Sequence, residues 1–91
     1  MYKISKYSYQ RAKELNVVIK PSTRKNKKID VFKDNVYICS IGDINYPDYP
    51  TYLKQYGKEY ADYRRELYWI RHAKDIRVKN SSGYYSANIL W

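Results

Sequence analysis

Two β-prone runs, Ile29-Asp30-Val31-Phe32 and Val36-Tyr37-Ile38-Cys39-Ser40-Ile41, are separated only by Lys33-Asp34-Asn35. That spacing is the grammar of a β-hairpin with Asp34-Asn35 at its turn, because Asp and Asn tolerate the left-handed backbone that a tight turn requires. Alternation places Ile29 and Val31 on one face of the first strand, opposite Asp30 and Phe32. In the second strand Val36, Ile38 and Ser40 alternate with Tyr37, Cys39 and Ile41. Being apolar on both faces, this strand is expected at the centre of the sheet, with Gly42 ending it. Val17-Val18-Ile19 is an optional third strand, stopped at Lys20-Pro21 because the residue before proline avoids helix.

Helical signals surround the hairpin. Ser8 to Leu15 reads as a short helix with Ser8 as N-cap and Asn16 in the left-handed position after its end. After the connector Asp43 to Pro50, Pro50 fits the first turn of a helix Thr51 to Tyr56, with Tyr49 as an unconventional cap and Gly57 closing it. Lys58 opens the main helix, expected to run to about Lys74. Asp75 to Ser82 is a polar linker. Tyr84, Ala87, Leu90 and Trp91 then mark a last short helix that docks onto the domain, since exposed Leu and Trp would leave a sticky patch. The fold class is therefore α+β. A short antiparallel hairpin, or three strands with Val17–Ile19, packs against one main helix with short flanking helices. Residues 1–91 form one domain, with a helix and extended segment in 1–20 and the hairpin plus helical core in 28–91.

The main helix carries the functional question. Tyr60, Tyr63, Leu67 and Ile70 fall within about 80° of one another at roughly 100° per residue, a stripe expected to face the sheet. Arg64, Tyr68, Arg71 and Asp75 follow at four-, three- and four-residue steps along a neighbouring face, with Arg65, Trp69 and His72 beyond it. Arginine suits phosphate because its planar fork donates two parallel hydrogen bonds. Arg64 and Arg71 stand about 10.5 Å apart along the axis, a spacing that permits phosphate contacts without singling out a groove. The competing account is a set of ordinary surface pairs, Asp62–Arg65, Glu66–Arg65 and Arg71–Asp75, worth a few tenths of a kcal/mol each.

Charge supplies the partner class. Eighteen Lys and Arg against nine Asp and Glu give a net charge of +9 on a 91-residue chain. Such an excess favours polyanions: nucleic acid first, an anionic membrane or an acidic protein surface second. The most basic loop, Pro21 to Lys28, holds Arg24, Lys25, Lys27 and Lys28. It is either a solvated tip or a phosphate-contacting loop anchored by the strand that follows. Thirteen tyrosines against one phenylalanine suit a thin core whose rings reach the surface, and equally suit interfaces and base stacking.

Catalytic chemistry finds little support. His72 beside Asp75 lacks a second histidine or cysteine, so zinc fails on ligand count, and no nucleophile stands ready for a general base. Cys39, the single cysteine, sits in an apolar run and excludes a disulfide framework or thiolate cluster. Asp43 and Asp48 share a loop and offer a weak Mg²⁺ pair for a nuclease. No cofactor, resident metal or small-molecule substrate is expected. No apolar run approaches the roughly 18 residues of a membrane span, and MYKISKYSYQ has no signal-peptide core, which predicts an intracellular protein.

The segments KKIDVFKDNVYICSIGD, INYPDYPTYLKQYGKEYADYRRELYWIRH and GYYSANILW together resemble a group of small basic proteins encoded by giant DNA viruses of the phycodnavirus and mimivirus kind. The resemblance covers residues 28 to 91 and rests mostly on Arg71-His72 and the Ile89-Leu90-Trp91 ending. Tyr84-Tyr85 replaces the Trp-rich ending of some members. It implies a viral protein packaged in the virion, located in the host cell or the particle, with no catalytic residue to carry across. The expected function is non-enzymatic binding of double-stranded DNA without strong sequence preference, through Arg24, Lys25, Lys27, Lys28, Arg64, Arg65, Tyr68 and Arg71. The alternative is a minor capsid protein making protein contacts, and the third is the small Mg²⁺ nuclease.

Overall fold

The hairpin forms as its residues dictate. In the computed structural model, which describes residues 2–91, Asp34 and Asn35 both adopt left-handed backbone, with φ of 53° and 65°. They join strand β2 (Lys27–Lys33) to strand β3 (Val36–Asp43), the pair Lys33–Val36 closing the turn. Strand β1 (Val18–Pro21) pairs antiparallel with β2, Ile19 opposite Val31. The optional third strand is thus real.

The sheet order is β1-β2-β3, so β2 lies at the centre and β3, expected there, is an edge. The reason is a bulge. Val31 faces Cys39 but Phe32 faces Tyr37, which leaves Ile38 as an extra residue and resets the alternation. Tyr37 therefore shares the outer face with Ser40, its hydroxyl 2.8 Å from Ser40 Oγ, instead of joining Cys39 and Ile41 inside. Val36, Tyr37 and Ile38 are all exposed. An apolar-looking strand can be an edge when a bulge turns half of it outward.

The inner face of the sheet (Ile19, Ile29, Val31 and Ile41) is covered by helix α1 (Lys6–Glu14) and helix α5 (Ser82–Leu90), whose Ala12, Tyr85, Ile89 and Leu90 complete the core with Ile4 and Val17. The N-cap of α1 is Ser5, accepting from the Ser8 amide at 3.1 Å. Ser8, the expected cap, is instead buried inside the helix, where its hydroxyl donates to the Ile89 carbonyl at 2.9 Å and fastens α1 to α5. Asn16 takes the left-handed position after the helix, with φ of 60°.

Helix α2 (Tyr49–Tyr56) is capped by Asp48, not by Tyr49; the Asp48 carboxylate accepts from the Thr51 amide at 3.0 Å. Gly57, at φ 91°, ends α2 and starts helix α3 (Lys58–Arg71). The main helix stops at Arg71, earlier than expected, and His72 separates it from one further turn, α4 (Ala73–Ile76). Helix α3 packs on α2 in a second cluster of Tyr49, Tyr52 and Ala61, against which Tyr7 and Trp91 also lie. The expected core stripe is therefore outside: Tyr60 is 40%, Tyr63 55% and Ile70 66% exposed. No helix among the described residues is long and apolar enough to cross a membrane.

Candidate functional site

Ala61 decides which way α3 faces. It is fully buried against α2, and its lack of bulk lets the two helices approach closely. Residues three, four and seven positions on, Arg64, Arg65 and Tyr68, must then share the inward side. The flank that sequence reading left free is the flank that packs.

Each of these residues is held differently. The Arg65 guanidinium lies 3.6 Å over the Tyr49 ring, while its Nε donates to the Trp91 main-chain oxygen at 2.6 Å and its Nη2 to Tyr7 Oη at 3.0 Å. These are the contacts of a rivet between α1, α2, α3 and the end of α5, so Arg65 drops out as a phosphate ligand. The Tyr68 ring is sandwiched by Trp91 at 4.5 Å and His72 at 4.3 Å, and its hydroxyl donates to Ser86 Oγ at 3.0 Å. Burial, more than any neighbouring charge, pushes the Tyr68 phenol above its ordinary value. Arg64 sits 5.2 Å from the Tyr52 ring centroid, with a buried Nε that has no hydrogen-bond partner.

Arg64 and Tyr68 form one wall of a cleft of about 510 Å³. Tyr52 and Trp91 add aromatic surface, and Arg71 and His72 stand where α3 ends. Lys27, the β3 end Ser40–Asp43, and Ser82 and Gly83 at the start of α5 complete the lining. Asp43 is the single acidic side chain in this lining. The floor depends on Gly42, whose φ of 78° and bare Cα allow Leu90 and Lys28 to close beneath it; a Cβ there would stand 2.7 Å from Leu90 Cδ1.

The expected contacts thus divide. Lys27, Arg64, Tyr68 and Arg71 converge on the cleft. Lys28 lies in its wall but is spent: its side chain is 5% exposed, and Nζ donates to the Tyr46 carbonyl and, at 2.9 Å, to Asp48 Oδ2. Arg24 and Lys25 are exposed in the β1–β2 turn, outside the cleft, with Arg24 4.5 Å over the Tyr37 ring on the outer sheet face. There Asp30 accepts from Ser22 and Ser40, each at 2.6 Å. Burial pushes its carboxyl up, but those hydrogen bonds and the nearby Arg24 outweigh it and hold the group below the usual carboxylate range.

The carboxylate pair Asp43 and Asp48 is not a metal pair. Asp48 is 1% exposed and accepts from Tyr2 Oη at 2.6 Å, Thr51 Oγ1 at 2.7 Å and Lys28. Asp43 turns to the Asn45 amide at 2.9 Å. Among the described residues no group of three or more His, Cys, Asp or Glu could hold a metal ion. His72 Nδ1 lies 3.7 Å from Asp75 Oδ2, and the ring's main contact is the stack on Tyr68. Cys39 is half-buried and unpaired, with its thiol pushed up by burial and by Asp30.

Sequence reading missed Trp91, Tyr52 and Gly42 as parts of the site. Trp91 docks as its apolar terminus predicts, whereas Gly42, expected to end β3, lies one residue inside it; neither pattern carried that the two meet at the same cleft. No family model, no curated protein and no solved structure matches the chain.

Proposed function

We propose that the protein is a small, basic, non-enzymatic nucleic-acid-binding protein that grips backbone phosphates without strong sequence preference. One observation carries this: Lys27, Arg64 and Arg71 meet at a cleft with aromatic walls and a single acidic side chain. Arg24 and Lys25 extend the basic surface beyond the cleft. Viral origin and packaging in the virion rest on the resemblance of residues 28–91 alone.

Five cations remain after Lys28 and Arg65 are withdrawn: Arg24, Lys25, Lys27, Arg64 and Arg71. If each meets one backbone phosphate, log K falls against log salt with a slope of about −3.5 on a single strand, or about −4.5 were all five to reach a duplex. Arg71→Ala, which loses an exposed side chain, is expected to reduce that slope by about 1. No binding to any nucleic acid at about 50 mM salt would overturn the proposal.

A second reading, a minor capsid or virion structural protein, is favoured by the exposed, uncharged β3 segment Val36–Ile38 at a sheet edge. It predicts a fixed stoichiometry with shell proteins after the genome is removed.

A further inference from the structure

We infer that the cleft takes a single strand of nucleic acid, whose bases stack on a row of tyrosines leading into it; this rests on the phosphate reading of the cleft. Tyr52 lines the cleft. Its ring lies 5.6 Å from that of Tyr60 and 6.1 Å from that of Tyr56, and the latter two are 5.1 Å apart. Tyr63 continues the row 6.2 Å beyond Tyr60. Tyr56 is 64% and Tyr60 40% exposed. Tyr56, Tyr60 and Tyr63 therefore keep much of their surface open to solvent, while Tyr52, 8% exposed, backs the row from the cleft side.

Charge and size select the occupant. Tyr60, Arg64, Leu67 and Arg71 recur along one flank of α3, whereas Glu59 and Glu66 fall roughly 100° or more from that flank, beside Tyr63 at the far end of the row. Lys54 is exposed on α2; Lys58 is exposed but paired with Asp62 at 2.7 Å, so it adds little. The row is thus continuous with a cationic cleft on a chain of net charge +9. A cleft of about 510 Å³ admits a nucleotide-sized group, within the roughly 300–1,000 Å³ of ordinary ligand sites. A duplex cannot enter it, and a duplex also hides its base faces within its own stack. An unpaired strand exposes them, and aromatic rings accept any base because every base has a π-face. The duplex preference expected from charge alone is revised accordingly.

The test is fluorescence anisotropy with a labelled oligothymidine of about 20 nucleotides, an abasic strand of the same length and a duplex of the same length, at about 50 mM salt. Oligothymidine is expected to bind roughly tenfold or more tighter than either of the others. Tyr56→Ala and Tyr60→Ala should each weaken it by roughly fivefold to a hundredfold, the range of one lost base stack. Duplex affinity should not change, and the Phe variants at both positions should bind like the unaltered protein. Equal affinity for the abasic strand or the duplex, or unchanged oligothymidine binding by both Ala variants, overturns this inference while leaving the proposed function standing. Binding to none of the three probes overturns both.

Discussion

Arg65→Lys separates a structural arginine from a phosphate contact. The substitution keeps the positive charge but loses the planar fork. Arg65 makes two hydrogen bonds, to the Trp91 main-chain oxygen and to Tyr7 Oη, and lies 3.6 Å over Tyr49. A lysine offers a single nitrogen in place of the fork, and cannot lie flat on the ring. One charge-assisted hydrogen bond contributes about 1.5–3 kcal/mol and the stack about 1 kcal/mol, of which a lysine recovers part. The expected loss is about 2–3 kcal/mol, large against the roughly 5–15 kcal/mol that holds a domain of this kind together. Urea unfolding followed by tryptophan fluorescence reads it: with a slope near about 1.2 kcal/mol per molar, the midpoint falls by about 2 M. Arg71→Ala serves as the contrast, because Arg71 is exposed and its loss should stay within about 0.5 kcal/mol. If Arg65→Lys unfolds at the unaltered midpoint, or Arg71→Ala costs as much, the assignment of the two arginines is wrong.

Two further perturbations follow from the geometry. Gly42→Ala places a Cβ 2.7 Å from Leu90 Cδ1 and 2.9 Å from Lys28 Cδ at a positive φ, whereas Gly57→Ala meets nothing within 4 Å. Backbone strain of about 1–3 kcal/mol attends both, and Gly42→Ala adds the contacts, so its melting temperature should fall further, by about 10 °C or more, and equal falls would refute the contact. Burial pushes the Asp48 carboxyl up, but Tyr2, Thr51 and Lys28 outweigh it and hold its pKa below the ordinary value. Its contribution is thus present above about pH 4 and lost as pH falls through that value toward the lower folded pKa. Asp48→Asn should cost about 3 kcal/mol at neutral pH, and calorimetry should find the gap to the unaltered protein narrowing below about pH 4. A gap that widens there would refute the linkage.

What could be read from the sequence was local. Asp34-Asn35 announces its own turn, Asn16 its own cap, and Gly57 its own helix break, because each depends on neighbours within a few residues. The bulge at Ile38 was hidden, since alternation counts residues and cannot see one that has no partner across the strands. Ser5 and Ser8 are equally good caps by composition; only the packing of α1 against α5, through Ser8 and Ile89, chooses between them. The site failed for one reason. Hydropathy ranks arginine outward and tyrosine inward, yet on α3 Arg65 is clamped beneath a ring while Tyr63 and Ile70 meet water. Stacking on aromatic faces reverses the ranking, and the single buried Ala61 was the signal that would have revealed it.

Trp91 belongs to both halves of the interior. It packs against the cluster under the sheet and against the cluster between α2 and α3, and it also stacks on Tyr68 and meets Tyr52 at 6.0 Å. One indole thus couples two hydrophobic units that only polar links, the Arg65 contacts and the Lys28–Asp48 pair among them, otherwise join. Amide exchange should report them as a single cooperative block, and Trp91→Ala should split that block so that α2 and α3 exchange while the sheet stays protected. Occupying the cleft, whose wall is the same indole, would then tighten regions far from the ligand.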